Sequence, residues 1–404
     1  MPGGPRSDRC RPVHPASTDQ VVARFAAALS EHPLATQAIG EIVGDVLEQL
    51  DDVPDTVILF VSDAHAGALE DMSGAIQRIL APTVLIGSST RSTLAGTQEV
   101  ERVPSVAIWA GLTGDPIGIR VAERADLADA LGGSEQPVAG TLVLLGSSNY
   151  GVSGEDLRRI GKTHPGLTVA GAIASPGAGN RSNRVMIDGD VFTDGAVGVV
   201  LPSQCPLVVK VSHGAEMVGE PFTVTRCERN MIVELAGKPA AERLREVVAG
   251  LGVAQRVRLG AGLLLGSVPG DHLLDVESTD FVIHEIRGED PTNGALAVDG
   301  EIALGSTVQF QIRDAISADE QLRSTLVGVV GSSALVFAGA ERGMRLFEGP
   351  DHDAEVVSSM LGTRCIAGMF GAVEFAPAGG VNSIHRRSVV SVIFGDRPPL
   401  RFRP

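Results

Sequence analysis

The amino-acid sequence predicts an α/β (α+β) protein of two domains, in which mixed sheets of buried strands are flanked by helices. Three observations support this fold class. The chain has 404 residues and 44% hydrophobic content, enough for roughly two ordinary domains with sizeable cores. Short apolar runs rich in β-branched residues alternate with segments of helical periodicity. This alternation recurs three times, which indicates an internally repeated strand–helix–strand–hairpin unit.

Two segments with helical periodicity precede the first strand. Apolar residues recur at helical spacing over residues 21–29, after Thr18, and predict a helix that stops at Pro33. A second apolar stripe, over residues 39–50, predicts another helix.

The three repeats begin with the apolar runs at residues 57–63, 141–148 and 333–340. Each run is followed by a helical segment and by a second buried strand that a glycine interrupts. The two strands keep spacings of 27, 27 and 31 residues, measured from Phe60 to Gly87, from Leu144 to Gly171 and from Phe337 to Gly368. Because glycine weakens a strand, we expect another backbone or a ligand to approach closely at each of these glycines.

Composition indicates where the chain divides. Pro202, Cys205 and Pro206 separate the second repeat from a new apolar run, so the domain boundary is placed there. The predicted units are a disordered tail over residues 1–17, a first domain over 18–206 and a second domain over 207–404. In the second domain we expect a helix after Pro239, strands near residues 259–266, 281–288 and 306–314, and a helix with Ser317 as its N-cap.

Charge and cysteine usage exclude several function classes. The net charge of −16 disfavours nucleic acid and anionic membranes as partners, and there is no run of 18 apolar residues. The four cysteines form no C-x-x-C pair, and the tail lacks the apolar stretch of a secretory signal. These features predict reduced thiols and a cytoplasmic location. No two histidines have metal-ligand spacing, so no metal site is predicted.

Charged residues stand in or beside otherwise apolar strands of the second domain. Arg313, Asp314, Arg342 and Glu374 are of this kind, and burying such groups is costly unless they are paired. They either form ion pairs inside a domain interface or line a pocket. His385 is added because it lies in the glycine-rich stretch that leads into the last buried strand.

The second domain resembles the FIST family in an ordered series of motifs. These are GEPFTVT from Gly219, IRGEDPTNGAL from Ile286, GSTVQFQIRDAISADEQL from Gly305, LVFAGAERGMRLFEGPDHD from Leu335, IAGMFGAVEFAPAGG from Ile366 and NSIHRRS from Asn382. The first domain is similar to the family's N-terminal domain through its strand, GSST and VAG elements. The resemblance therefore identifies residues 18–206 as a FIST N-terminal domain and residues 207–404 as a FIST C-terminal domain.

The resemblance implies a sensory protein that binds a small ligand, such as an amino acid, and signals through a partner protein. An arginine would hold the ligand carboxylate bidentately and an acidic side chain would take its ammonium group. No catalytic residue and no resident cofactor is expected. The binding residues inferred on this basis are Arg313, Asp314, Arg342, Gly343, Glu374 and His385.

Three alternatives stay open at this point. The resemblance also extends to haem-based nitric oxide sensors, in which a lone histidine would supply the axial ligand. A hydrolase would use His385 as base and Glu374 as its orienting group. A scaffold protein would bind partners without any small ligand.

Overall fold

A computed structural model describes residues 24–123, 125–132, 137–177, 183–259, 263–269 and 278–395. The predicted tail over residues 1–17 lies outside the described residues. The helices of the described chain are α1 (Ala35–Gln49), α2 (Leu69–Ile79), α3 (Leu127–Ala130), α4 (Gly154–Thr163), α5 (Ala240–Gly250), α6 (Val253–Arg258), α7 (Ala315–Leu326) and α8 (His352–Leu361). Short 3-10 helices occur at Asp63–Ala68, Ser278–Asp280 and Gly343–Arg345.

The strands account for more residues than the helices. They are β1 (Phe25–Ser30), β2 (Thr56–Ser62), β3 (Val84–Thr90), β4 (Ser92–Ala95), β5 (Gln98–Glu101), β6 (Val106–Gly111), β7 (Ile117–Val121), β8 (Gly140–Gly146), β9 (Leu167–Ala174), β10 (Val185–Ile187), β11 (Asp190–Phe192), β12 (Ala196–Leu201), β13 (Leu207–Ser212), β14 (Ala215–Glu228), β15 (Met231–Leu235), β16 (Lys238–Pro239), β17 (Leu263–Ser267), β18 (Val282–Asp290), β19 (Ala295–Val298), β20 (Thr307–Arg313), β21 (Ser333–Gly339), β22 (Ile366–Ala378), β23 (Val381–His385) and β24 (Val389–Phe394).

The strands form three mixed or antiparallel sheets, and the predicted α/β class is confirmed. A six-stranded sheet has the order β1-β6-β2-β3-β10-β11. An eleven-stranded sheet follows the path β13-β24-β21-β22-β9-β8-β12-β7, with β23, β4 and β5 attached beside it. A seven-stranded sheet has the order β14-β20-β17-β18-β19-β15-β16. The predicted boundary at 206/207 falls between β12 and β13, which both belong to the eleven-stranded sheet, and it stays a prediction.

The predicted repeats correspond to the parallel ladders of the described chain. The pairs β2–β3, β8–β9 and β21–β22 run parallel, and α2, α4 and α8 connect them. A parallel pair needs such a crossover, because its strands cannot be joined by a tight hairpin. The strand–helix–strand unit predicted from the sequence therefore exists in all three copies.

The repeated glycines mark close backbone approaches, as the sequence predicts. In each parallel pair the glycine stands opposite a residue of the partner strand, where a Cβ atom would overlap that residue's carbonyl oxygen. The opposed pairs are Gly87 with Leu59, Gly171 with Leu144, and Gly368 with Val336.

The main core lies between the six-stranded and eleven-stranded sheets. Phe25 and Trp109 of the first sheet pack against Phe394 of the second, with the Trp109 and Phe394 ring centroids 4.6 Å apart. The Trp109 Nε1–H donates to Ser333 Oγ at 2.8 Å, which satisfies the one polar atom of the indole. Helices α1 and α2 cover the outer face of the six-stranded sheet, and α3, α4, α7 and α8 pack on the eleven-stranded one. Within the described ranges, none of the helices has the length and apolar character that crossing a membrane requires.

The helix predicted over residues 21–29 is wrong for its described part, because Phe25–Ser30 is strand β1. This segment pairs antiparallel with β6. The spacing of four between Phe25 and Leu29 places both residues on one face of a helix, but it also places them on one face of a strand. Periodicity could not separate the two, and pairing with β6 decides the outcome.

The predicted N-cap of α7 is also corrected. Asp314 is the N-cap, and its carboxylate accepts from the Ser317 N–H at 2.8 Å. The Ser317 hydroxyl in turn accepts from the Asp314 N–H at 3.0 Å. Ser317 is therefore the third helical residue of a capping box, and the helix begins three residues earlier than predicted.

The close approach at Gly368 generates a stability prediction. We expect Gly368→Ala to lower the free energy of unfolding by about 3 kcal/mol or more, because β21 and β22 must separate to admit the methyl group. As a control, Gly161→Ala adds a methyl group inside α4 where nothing lies within 4 Å, and should be neutral or stabilising by about 1 kcal/mol. Urea unfolding measures both, and wild-type stability of the Gly368 variant would contradict the close approach.

Candidate functional site

A cavity of about 990 Å³ opens where strands from all three repeats end. Arg91 follows β3, Ser175 follows β9 and Ala340 follows β21, and all three residues line the cavity. Glu285 of β18 brings the seven-stranded sheet to the same cavity. Ligands of open α/β sheets bind outside the carboxyl ends of the strands, and this cavity has that position. We call it the arginine cavity.

The lining of the arginine cavity is dominated by charge. It contains six arginines and four acidic residues, so its side chains carry an excess of positive charge in a protein with a net charge of −16. The arginines are Arg91, Arg102, Arg287, Arg345, Arg386 and Arg387, and the acids are Glu101, Glu285, Asp299 and Glu341. A cavity of this composition attracts anions.

The acids neutralise only part of the arginine set. Arg387 forms ion pairs with Glu285 and Glu341. Arg287 Nη1 lies 2.7 Å from Glu285, and its Nη2 lies 3.8 Å from Asp299. The remaining arginines form no ion pair with any other described residue, so their guanidinium groups are available to a ligand: Arg91, Arg102, Arg345 and Arg386.

Beside the cavity, Arg342 forms a fully buried ion pair. It follows the lining residue Glu341, and its Nε and Nη2 atoms donate to Asp353 at 2.7 and 2.8 Å. Burial opposes ionisation of Asp353, but the Arg342 guanidinium and a hydrogen bond from His352 lower the pKa of this carboxyl to about 2. The bidentate role expected for Arg342 toward a ligand is therefore taken by Asp353. Arg342 Nη1 is left without a partner among the described residues.

Glu374 and His385 are brought together, as neighbours on paired strands. They stand opposite each other in the β22–β23 ladder, and both are buried. Glu374 Oε2 accepts from the Ser388 N–H at 3.0 Å and from its Oγ at 2.8 Å, while burial raises the pKa of Glu374 to about 7. His385 Nε2 lies 3.1 Å from the Ala376 carbonyl oxygen, and burial lowers the pKa of His385 to about 4.

Arg313 belongs to the same buried cluster as Glu374 and His385, whereas Asp314 does not. The Nε and Nη2 atoms of Arg313 donate to the His213 carbonyl oxygen at 3.0 and 2.7 Å. Burial and the nearby Arg342 and Arg387 charges lower the pKa of Arg313 to about 9, so it stays charged at neutral pH. Asp314 instead caps α7, and the structure does not bring its carboxylate to the other predicted residues.

The partner of Asp314 is on another helix. Arg258, the last residue of α6, forms an ion pair with Asp314 and contacts Glu216 at 2.6 Å.

Gly343 opens a 3-10 helix with φ +56°, and a Cβ there would overlap Glu101 at the edge of the arginine cavity. Gly343 therefore shapes the wall of the cavity and makes room for an acidic side chain.

Sequence reasoning missed Glu99. This residue of β5 is buried, and its Oε1 atom accepts from the Ala354 N–H at 2.9 Å. Burial and the charge of Asp353 raise the pKa of Glu99 to about 8. It stands in the polar run QEVE, which gives no sign of burial, and the packing of β5 against α8 buries it.

The unpaired arginines were missed as well, although a signal existed for two of them. Arg345 stands in the ERGMRLFEG segment and Arg386 in NSIHRRS, both within motifs that carry the family resemblance. Arg91 and Arg102 follow β3 and β5, and no local pattern indicates that these strand ends meet the second half of the chain.

Comparisons with known proteins agree with this architecture. The family model described as FIST N domain matches residues 55–238, and the one described as FIST C domain matches residues 240–377. The chain belongs to the FIST family. Domains of this family are associated with sensory signal transduction. The two family models meet within the seven-stranded sheet, beside β16.

Mycobacterial proteins are similar in sequence to this chain over almost their full length. The uncharacterized protein Mb0898c of Mycobacterium bovis is 33% identical over 92% of this chain and 99% of its own. The uncharacterized protein Rv0628c of Mycobacterium tuberculosis is 32% identical over 92% of this chain and 100% of its own.

Haem, the alternative cofactor, does not suit the arginine cavity or the His213–His385 pair. No described histidine lines the arginine cavity, whose charged walls also differ from the apolar surface that a porphyrin needs. His213 and His385 are buried with ring centroids 5.0 Å apart, which leaves no room for a haem plane between them.

The buried Arg342–Asp353 pair predicts a strong asymmetry between single and double variants. Arg342→Met should lower the free energy of unfolding by about 3–5 kcal/mol, because Asp353 is left as an unpaired buried charge. The double variant Arg342→Met/Asp353→Leu should recover most of this loss. Arg158→Ala, which breaks an exposed pair with Glu155, should cost less than about 1 kcal/mol. Equal losses in the single and double variants would contradict the pairing.

Glu99 predicts a pH dependence of stability. Its folded pKa of about 8 lies above the ordinary value of 4.5, so its neutral form stabilises the fold at low pH and this stabilisation is lost as pH rises to about 8. Between pH 7 and 8 the free energy of unfolding should fall by about 1 kcal/mol more in the wild type than in Glu99→Gln. Glu374→Gln should retain most of the wild-type fall, because Glu374, with a pKa of about 7, is already half ionised at pH 7. Parallel wild-type and Glu99→Gln profiles would refute the assignment.

Proposed function

We propose that this chain is a cytoplasmic sensor that binds a small anionic ligand in the arginine cavity and signals through a partner protein. The observation that carries the proposal is the set of four cavity arginines without an ion-pair partner among the described residues. The described cysteines Cys205, Cys227 and Cys365 are free thiols, which suits a reducing compartment.

The charge pattern favours an amino acid with an acidic side chain. Arginine recognises carboxylates bidentately, and two carboxylates would use two of the free guanidinium groups. The carboxylates of Glu101 and Glu341 line the same cavity and can accept hydrogen bonds from an ammonium group. A ligand with two carboxylates and one ammonium group has a net negative charge, which complements the arginine excess.

The position of the cavity suggests how binding is reported. Its walls come from strand ends of the six-stranded and eleven-stranded sheets and from β18 of the seven-stranded sheet. A ligand that contacts all of these walls favours the arrangement in which they are closest, and can shift the population of that arrangement. The surface that changes would be the one a partner protein reads.

Support of the binding cavity, and not catalysis, is proposed for the Glu374–His385 pair. Glu374 is hydrogen-bonded to Ser388 and His385 to the Ala376 carbonyl, so neither orients the other as a base and its partner would. We assign these residues to the support of the cavity wall, since Ser388 directly follows the lining residue Arg387.

Thermal unfolding in the presence of each of the twenty amino acids tests the proposal. Glutamate or aspartate should raise the melting temperature, and ligand at 100 times its Kd corresponds to about 2.7 kcal/mol. Arg345→Ala should lose this stabilisation, whereas Arg78→Ala, at an exposed position of α2, should keep it. No shift with any amino acid, or an unchanged shift in Arg345→Ala, would count against the arginine cavity as the binding site.

A further inference from the structure

A second cavity, of about 1310 Å³, lies between helix α4 with β23 and the strands β17 and β18. Its lining differs from that of the arginine cavity. Apolar side chains cover much of it, including Leu157, Leu167, Ile302, Leu304 and Ile384. Such a cavity suits an apolar chain more than a small polar ligand.

A serine and a histidine face each other in this cavity. Ser267 ends β17 and His284 lies on β18, and the antiparallel register places Leu265 opposite His284 and Ser267 opposite Val282. Ser267 and His284 are therefore diagonal neighbours on one face of the sheet. The Ser267 Oγ and His284 Nε2 atoms are 2.9 Å apart, which is hydrogen-bonding distance.

Asp299 lies at the other end of the imidazole ring. Its Oδ1 atom is 3.7 Å from His284 Nδ1 and accepts from the Glu285 N–H at 2.9 Å. Burial opposes ionisation, but the nearby imidazole of His284 and a hydrogen bond from the Glu285 N–H lower the pKa of Asp299. A carboxylate that faces Nδ1 favours the tautomer with the proton on that nitrogen, and this tautomer leaves Nε2 to accept from the serine.

Gly300 leaves room for the imidazole beside this carboxylate. A Cβ atom on Gly300 would lie 2.7 Å from His284 Nδ1, so only glycine lets the backbone pass this close to the ring. Ser267, His284 and Asp299 all line the second cavity, so a molecule bound there would lie beside all three residues.

We propose that Ser267, His284 and Asp299 form a nucleophile, base and orienting group that hydrolyse an ester with an apolar acyl chain. The 2.9 Å distance between Ser267 Oγ and His284 Nε2 matches what a nucleophile and its base require. Asp299, 3.7 Å from the other ring nitrogen, has the position of the orienting carboxylate and would approach it more closely in the reacting complex. This activity is separate from the ligand binding proposed for the arginine cavity.

The chemistry balances with water as the second substrate. Ser267 Oγ attacks the acyl carbon while His284 Nε2 takes the hydroxyl proton, and Asp299 stabilises the imidazolium. The bond between the acyl carbon and the alcohol oxygen breaks, and that oxygen receives the proton from Nε2. Water then attacks the acyl-serine in the same way, which releases the carboxylic acid and restores the serine.

Basic residues at the cavity define the rest of the substrate. Arg158, Lys162, Arg229 and Arg386 are among its lining residues, against the acidic Asp299 and Glu301. The apolar lining would hold the acyl chain. The basic side chains would bind an alcohol portion that carries negative charge.

A fluorophosphonate probe, which reacts with activated serines, tests the proposal on the full chain. The intact mass should increase by one probe adduct, and peptide mapping should place it on Ser267. Absence of an adduct would overturn the proposal, and so would an adduct on Ser383, another serine of this cavity. Mapping on the wild type decides the matter even where a variant fails to fold.

Hydrolysis of p-nitrophenyl esters of increasing acyl length supplies the second test. Ser267→Ala should reduce the rate by about 100-fold or more, and Asp299→Asn should lower kcat with a smaller effect on KM. Ser324→Ala, on the exposed face of α7, should react as the wild type does. A wild-type rate in a folded Ser267→Ala variant, or a rate independent of acyl length, would refute the assignment.

Discussion

Strand β22 is the element on which the rest of the structure depends. Its thirteen residues pair parallel with β21 and antiparallel with β9, β23 and β4, so strands from both halves of the chain share one sheet. Register is fixed for all of these partners at once, because a slip by one residue would turn every side chain to the other face. Gly368 then meets Val336, and Glu374 lies between Ala172 and His385. The arginine cavity exists because this register brings the strand ends together.

Burial of acidic groups beside β22 explains why the arginines keep their positive field. Asp353 forms its ion pair with Arg342. The buried Glu99 and Glu374 have raised pKa values, so their neutral forms persist toward neutral pH. Neither glutamate pairs with a cavity arginine. A protein with many more acids than bases can therefore maintain a site that attracts anions, because the excess of acids lies elsewhere on its surface.

The parts of the fold that could be predicted are those with a local cause. Each repeat shows an apolar run and, at a nearly constant spacing, a glycine. Burial of the run and close approach at the glycine both arise within one strand–helix–strand unit. The N-cap of α7 has an equally local cause, but Asp314 and Ser317 stand three residues apart and both are good N-cap residues, so the sequence does not separate them. Buried charge at Arg342 was predictable from its apolar surroundings. Its partner Asp353 was not, because α8 must first pack beside β21 before the two side chains meet.

The serine, histidine and aspartate of the second cavity had no signal in the sequence. Ser267 lies on β17, His284 on β18 and Asp299 directly after β19, and only the pairing of these three strands brings them together. Asp299 lines both cavities, with Arg287 near one carboxylate oxygen and His284 near the other. An anion in the arginine cavity would compete for the Arg287 guanidinium and leave Asp299 more strongly directed toward His284. The same carboxylate thus connects the two cavities, because its oxygens face Arg287 on one side and His284 on the other.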